Sequence, residues 1–309
     1  MSSKQLVRLA AVLAVAVFAW GFLALTRQSS GDRVVRLALR PVDTAAVDTV
    51  AITKGADTAL LVRAADKAWR DNGYPATKPN VAQLLSALAD TSSNTTELVA
   101  ETRSARPGLG VTADSGQRIR VIAGGRVAVD WITGNQTPDY EGLYVRPTAG
   151  DRVYALHGPL AGAFGHGLAE WRDHTIVAVR ADSVRRIEVL RGGHTYTLMK
   201  VAKGWTLAGA GPADPRAVTT LVEHLNPLSA ENFATPAQTT AARFAHPTAR
   251  LRVFGTAAAP LADVLFDSTS TGIWARADTG GTVYQVETWT MNGVAPAEKT
   301  LRQNAPKPR

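Results

Sequence analysis

Three groups of residues have types that chemistry uses. His157, His166 and His174 fall within 18 residues of one another, with Glu170 and Asp173 close by. A zinc-type site needs three or four such groups to converge, with outer partners that orient them. Their spacings of nine and eight match neither a helical i, i+4 pair nor a zinc signature, so surface or capping histidines are expected. His194, His224 and His246 are too scattered to form a second site. Asp130, Asp139, Glu141 and Asp151 cluster around one strand–loop–strand. Paired carboxylates about 5–10 Å apart could do glycosidase-type work there. Farther along the chain, Asp263 and Asp267 stand in a different register, and charged loops are ordinarily just solvated. Gly162-Ala-Phe-Gly165-His-Gly167 has the glycines of a phosphate loop. Such a loop would follow a strand of a parallel sheet and supply Lys-Ser/Thr or a distal acid. These glycines fall in a predicted helix after an antiparallel strand, so close packing of helix on sheet is the simpler reading. No Gly-x-Ser-x-Gly, His-Glu-x-x-His or Ser-x-x-Lys motif is present, and no complete catalytic set emerges. The chain has no Cys, which removes thiol nucleophiles, Cys-ligated zinc, iron–sulfur clusters and disulfides. No metal and no cofactor are expected.

One further set recurs. Gly142-Leu-Tyr144-Val-Arg146 is answered 130 residues later by Gly272-Ile-Trp274-Ala-Arg276, and Val153-Tyr154 by Val283-Tyr284 at the same offset. An arginine flanked by aromatics can bind carboxylates, phosphates or glycans through forked hydrogen bonds and stacking. Alternate residues of a strand share a face, so Tyr144 and Arg146 lie together. Cross-strand stacking that stabilises each sheet is favoured, because two copies need the same fold but not the same ligand.

The elements that carry these residues are duplicated too. Val47–Ile52, Ala59–Arg63 and a strand ending at Trp69 precede the Asn72-Gly73 turn signal. Asn80 is placed to cap a helix with Val81, Leu84, Leu85 and Leu88 at helical spacing. Arg118–Ala123 and Arg126–Trp131 flank Gly124-Gly125, and Gly142–Arg146 and Arg152–Leu156 follow. A Gly-rich helix, Pro159–Ala169, closes the first copy before Trp171-Arg-Asp-His174. In the second copy Trp205 answers Trp69, and Asp214-Pro215 opens a helix with Val218, Leu221, Val222 and Leu225 inward. Ile119-Arg-Val-Ile122 is answered by Leu251-Arg-Val-Phe254. The second copy has no counterpart of the Gly-rich helix. Trp69 and Trp205 are expected in the core. The predicted class is α+β: an N-terminal transmembrane helix followed by two tandem repeats of an antiparallel-sheet-plus-helix unit. The anchor and linker occupy 1–31, the repeats 45–181 and 182–293, and a basic flexible tail 294–309.

The anchor assignment rests on Leu9 to Leu25, 17 apolar residues without a break. At about 1.5 Å per residue this run spans roughly 26 Å, near the lower limit for a bilayer core. Trp20 suits the outer interface. A cleaved signal peptide is the competing reading, but Ala24-x-Thr26 and Ala19-x-Gly21 are poor cleavage sites. Lys4 and Arg8 place the N-terminus in the cytoplasm and the bulk of the chain outside it, in the periplasm or beyond. The formal charge is +8. Seven cations lie at the termini (Lys4, Arg8, Arg27, Lys299, Arg302, Lys307 and Arg309), leaving 27 cations against 26 acids over residues 32–298. A near-neutral fold lacks the basic face of a nucleic-acid binder.

Trp69 followed by Tyr74-Pro75, the Leu-Leu helix, Leu109-Gly110, Gly142-Leu-Tyr-Val-Arg146, Val153-Tyr154 and Trp171-Arg172-Asp173 together resemble the DUF4340 domain. The resemblance extends over nearly all of residues 45–290. It implies a single-span, periplasm-facing protein of the inner membrane, of a kind often encoded beside ABC-type exporter subunits of the gliding-motility type. It supplies no functional residues to carry over. The expected function is therefore that of a non-enzymatic, membrane-anchored accessory protein, in contact with the lipid bilayer and a protein partner in the envelope. An envelope hydrolase using acidic residues of the first repeat is the alternative.

Overall fold

The computed structural model describes residues 35–303, so the apolar run and the last six residues lie outside the described part. The chain divides into two units. The first takes the chain up to Asn72 together with Pro79–Trp171, and the second takes Gly73–Lys78 together with the chain from Arg172 onward.

The first sheet contains β1 (Val47–Lys54), β2 (Asp57–Arg63), β3 (Trp69–Asp71), β4 (Tyr74–Pro75), β5 (Thr95–Ala100), β6 (Gln117–Ala123), β7 (Arg126–Gln136), β8 (Gly142–Pro147) and β9 (Val153–His157). Its order is β4-β3-β2-β1-β6-β7-β8-β9-β5. A two-stranded pair, β10 (Thr175–Val177) with β15 (Leu228–Ser229), belongs to the second unit. The second sheet contains β11 (Arg186–Arg191), β12 (His194–Val201), β13 (Gly204–Leu207), β14 (Gly211–Pro212), β16 (Asn232–Phe233), β17 (Ala249–Phe254), β18 (Pro260–Thr269), β19 (Gly272–Ala277) and β20 (Tyr284–Val286). Its order is β14-β13-β12-β11-β17-β18-β19-β20-β16, strand for strand the order of the first.

Alternation explains which face is buried. On β1 and β6 the apolar residues Val50, Ile52, Ile119 and Val121 are at most 1% exposed, while Thr49, Arg118 and Arg120 between them face outward. Branched side chains at every second position suit a half-buried pleated surface. The helix α1 (Lys78–Ala89) buries Val81, Leu84 and Leu88. A shorter helix, α2 (Arg106–Leu109), lies between β5 and β6, and α3 (Pro159–Phe164) follows β9. In the second unit α4 (Pro215–Glu223) buries Val218, Leu221 and Val222, which join Ile187, Leu198, Leu251 and Val264 in one core. Asp214 caps α4 by accepting from the N–H groups of Arg216 and Ala217. The remaining helices are α5 (Pro236–Ala241) and α6 (Thr288–Val294).

Several expectations require correction. The class is mainly antiparallel β, not α+β, because two nine-stranded sheets dominate and the helices only patch their faces. The longest described helix has 12 residues, and none among the described residues is long and apolar enough to cross a membrane. Asn80 lies inside α1, so it caps nothing; its amide instead donates to Glu170 O at 2.8 Å. Trp69 opens β3 instead of ending a strand, and β7 runs on to Gln136. The Gly-rich helix stops at Phe164, and a separate 3-10 turn, Leu168–Trp171, follows. Glycines at 162, 165 and 167 weaken helix propensity enough to break it there. The second copy does have the counterpart of that helix, since α6 and the 3-10 turn Glu298–Leu301 follow β20 as α3 and Leu168–Trp171 follow β9. Isolated bridges extend the parallel, Ala76 with Arg172 and Ala213 with Arg302. The expected flexible tail therefore begins too early. Val294 and Leu301 are at most 1% exposed, and Leu301 O accepts from Asp214 N at 2.8 Å.

Leu301→Ala should cost about 2–5 kcal/mol of second-unit stability, as truncation of a buried leucine does. Chemical denaturation followed by Trp fluorescence measures this; a loss under about 0.5 kcal/mol, typical of surface sites, would return the segment to the status of a tail.

Candidate functional site

Strand parity decides where the recurring residues go. Tyr144 pairs with Ala155, and Val145 pairs with Tyr154. Directly opposite residues share a face, so Tyr144 and Tyr154 lie on opposite faces and do not stack together. In the second sheet Ala275 pairs with Tyr284, which again separates Trp274 from Tyr284. Tyr284 belongs to the main core, and its hydroxyl donates to Thr175 O at 3.3 Å. Tyr144 and Trp274 instead help build a second, smaller core on the outer face of each sheet. Tyr144 packs against Val111, Ile132 and Val153, and Trp274 joins Phe244, Leu265 and Val283. The chain between β5 and β6 covers the first of these, and the chain between β16 and β17 the second.

Arg146 and Arg276 occupy the same strand position but do different work. Arg146 is 6% exposed. Its Nε donates to Val111 O at 3.2 Å, and its Nη1 donates to the carbonyls of Pro147, Thr148 and Gly150 at 3.1–3.3 Å. Burial, then the nearby Arg106, hold its pKa below the ordinary arginine value. It is a clamp for the β8–β9 turn. Arg276 has a different neighbour: its guanidinium lies 4.7 Å from the Phe244 ring centroid. Gly142 heads the first motif because a Cβ there would fall 2.6 Å from Leu156 O, whereas Gly272 adopts φ +149° with no such crowding.

A second recurring constellation went unread in the sequence. On the outer face of the first sheet, Arg118 grips Asp130 through Nε and Nη2, both at 2.8 Å, with Arg120 at 3.3 Å and Thr148 Oγ1 at 2.8 Å. In the second sheet Arg250 grips Asp263 in the same bidentate way, at 2.8 and 2.6 Å. Asp263 is thus the structural counterpart of Asp130, correcting the expectation of a different register. Asp267 is buried and accepts from Arg243 N at 2.8 Å. The signal that could have found the pairs is an Arg two residues before Arg120 and Arg252, with an Asp on the next strand.

The other candidates are dispersed. His157 Nε2 meets Asp139 at 3.1 Å, His166 Nε2 meets Gln83 at 3.1 Å, and His174 Nδ1 meets Ala230 O at 3.0 Å. No group of three or more His, Asp or Glu among the described residues is placed to hold a metal. Asp139 is held below the ordinary carboxylate range by the Thr137 hydroxyl and the Glu141 N–H. Asp151 is likewise lowered, by Arg103 and then Arg106, both of which contact it. Trp69 and Trp205 are half-buried, each under a cation from the neighbouring strand, Arg63 at 5.1 Å and Lys200 at 6.0 Å; Trp205 packs against the core of the second unit.

The two short motifs around Tyr74 and Arg172 meet inside the second unit. The Arg172 guanidinium lies over Tyr74 at 5.0 Å and Phe233 at 5.6 Å. Tyr74 OH donates to Ala234 O at 3.1 Å, Asp173 N donates to Pro75 O at 2.8 Å, and the His174 ring packs edge-on against Phe233. Trp171, the neighbour of Arg172, is buried in the first unit. A family model, Domain of unknown function (DUF4340), matches residues 67–247. The chain belongs to the DUF4340 family. The DUF4340 match holds this whole cluster but starts after β2 and stops before β17, so it is narrower than the expected 45–290. No curated protein and no solved structure matches the chain.

Arg118, Thr148 and Arg120 together outweigh burial and lower Asp130 from its ordinary 3.8 to about 2. A carboxylate depressed in the folded state stabilises above its unfolded value and loses that contribution as pH falls through the folded one. Stability from this group should therefore be full above about pH 4 and fade toward pH 2, by on the order of 1–2 kcal/mol once solvent screening is allowed for. Asp130→Asn should remove that fraction of the acid transition, read as the pH dependence of the denaturation midpoint.

Proposed function

We propose that this DUF4340 protein is a non-enzymatic accessory protein, tethered to the membrane by Leu9–Leu25, that engages a protein partner outside the cytoplasm. The observation that carries the reading is the outer face of the first sheet, which among the described residues exposes apolar side chains of β2 and β7. Register places Val62, Thr49, Ile122 and Val127 in one row and Leu60, Ala51, Arg120 and Asp130 in the next. Leu60, Val62 and Val127 are 38–55% exposed. The corresponding rows of the second sheet are Met199, Arg186, Phe254, Pro260 and Thr197, Glu188, Arg252, Asp263. There Arg186 lies 3.9 Å over the Phe254 ring, and Glu188 bridges Arg186 and Arg252 at 2.8 and 2.7 Å. Met199, Val201 and Leu261 of that sheet are 41–46% exposed. The first sheet has Thr49 and Ala51 where the second has Arg186 and Glu188, so its ionic pairs stop at Arg120 and Asp130 and do not extend across β1.

Contiguous exposed apolar surface with a polar border is the usual mark of a protein interface. Arg118 and Arg120 share one Asp130 at its edge, so an apolar surface flanked by acids fits it best. An exporter subunit or another envelope protein would supply such a surface. Asp130, Asp139 and Asp151 are all held toward their charged forms, which disfavours the hydrolase alternative because a general acid needs a raised pKa.

A photo-cross-linking residue at Val62 or Val127, in native membranes of cells expressing the full chain, should give one discrete adduct with an envelope or exporter subunit. The same residue at Thr197 should give none, and Val62→Glu with Val127→Glu should abolish the adduct. Equal labelling at Thr197, or no adduct from the first face, would refute the assignment.

A further inference from the structure

Apart from that face, the first unit carries an open depression of about 240 Å³, lined by Gln136, Tyr140, Glu141, His166 and Glu170 over a glycine floor. We propose that this depression is a binding site for a single uncharged or amine-bearing sugar ring. Tyr140 is the reason. It stands 79% exposed at the tip of the β7–β8 hairpin, in the left-handed backbone region at φ +61°. That conformation is unfavourable for a bulky side chain, and exposing an aromatic ring adds nothing to the fold.

The hairpin is nevertheless built to hold it. Thr137 is buried, its Oγ1 donates to Asp139 and accepts from Gly142 N at 2.9 Å, and its O accepts from Tyr140 N at 2.9 Å. Asp139 also accepts from Glu141 N at 3.1 Å and meets the His157 ring. Each of these bonds fixes the tip, and none contacts the Tyr140 ring.

The chemistry around the ring selects the ligand class. Sugars offer an apolar C–H face and a rim of hydroxyls. An exposed aromatic ring meets the first, and planar carboxylate and amide groups meet the second, here Glu141 and Gln136; Glu170 beside them is engaged by Gly167 N and His166. Gly142, Gly162 and Gly165 complete the lining and add no side chain to it. The lining includes no Lys or Arg and two carboxylates, which disfavours phosphates, nucleotides and acidic sugars. Its volume lies below the roughly 300–1,000 Å³ of sites for larger ligands, so it suits one ring of a chain that continues into solvent.

Saturation-transfer NMR of the detergent-solubilised full chain with glucose, glucosamine, N-acetylglucosamine and inorganic phosphate tests the site. At least one sugar should bind at millimolar concentration, phosphate should not, and Glu141→Gln should weaken the sugar. Tyr140→Gly should reduce sugar binding at least tenfold while leaving Tm unchanged or raising it by about 2–4 °C, since glycine relieves the backbone. Failure of all three sugars, phosphate binding more tightly than any sugar, or Tyr140→Gly binding like the native chain would overturn the proposal. Val62→Glu should leave sugar binding intact, so this test and that of the sheet face fail separately.

Discussion

The two-residue period of a β-strand is the constraint on which the rest of this structure depends. In both sheets it sends one set of branched side chains inward and leaves the other set to be dealt with on the outer face. Ile119 and Val121 disappear into the core, so Arg118 and Arg120 must face out and find a partner in Asp130. The same parity separates Tyr144 from Tyr154, sending one to the outer core and the other to the inner face. A motif that reads along the chain as one aromatic–arginine unit is thus divided between two environments.

Within this shared frame the copies have diverged where the outer face is covered. Both sheets retain a bidentate Arg–Asp grip between equivalent strands, and both roof one end of the face with the segment preceding β6 or β17. They differ in the middle. Arg186 and Glu188 extend the ionic ladder of the second sheet onto β11, while Thr49 and Ala51 give β1 no such pair. Arg146 and Arg276 show the same freedom at a single position, one clamping carbonyls and the other stacking on Phe244. The frame depends on inner-face packing, which tolerates few changes, whereas outer-face positions can change partners at little cost.

Much of the fold was legible because its signals are local. Alternation in Val47–Ile52, the Gly124-Gly125 turn and the Asp214-Pro215 helix start each depend on a few neighbouring residues, and each element formed where expected. The misses have a common physical origin. Thr288–Val294 contains β-branched residues and a glycine, so its propensity is poor, and burial of Met291 and Val294 makes it helical. Asn80 has the right type for a cap, but the helix begins earlier and its amide is drawn to Glu170 O. Tyr140 carried no sequence signal as a site, because what marks it is a backbone angle and a depression formed by two separated segments, 136–143 and 161–170.

The sequence by itself determined that the chain is a strand-rich duplication without thiol chemistry, with a near-neutral middle and an apolar run near its start. These follow from composition, spacing and self-similarity, none of which needs a third dimension. The tertiary structure alone decided that the mainly antiparallel sheets outweigh the helices, that Asp263 matches Asp130, and that the aromatic–arginine motif straddles two faces. It also brought Tyr140 and Glu170 into the lining of one depression. Pairing register and distant packing are set by cooperative burial of whole faces, and no window along the chain contains that information.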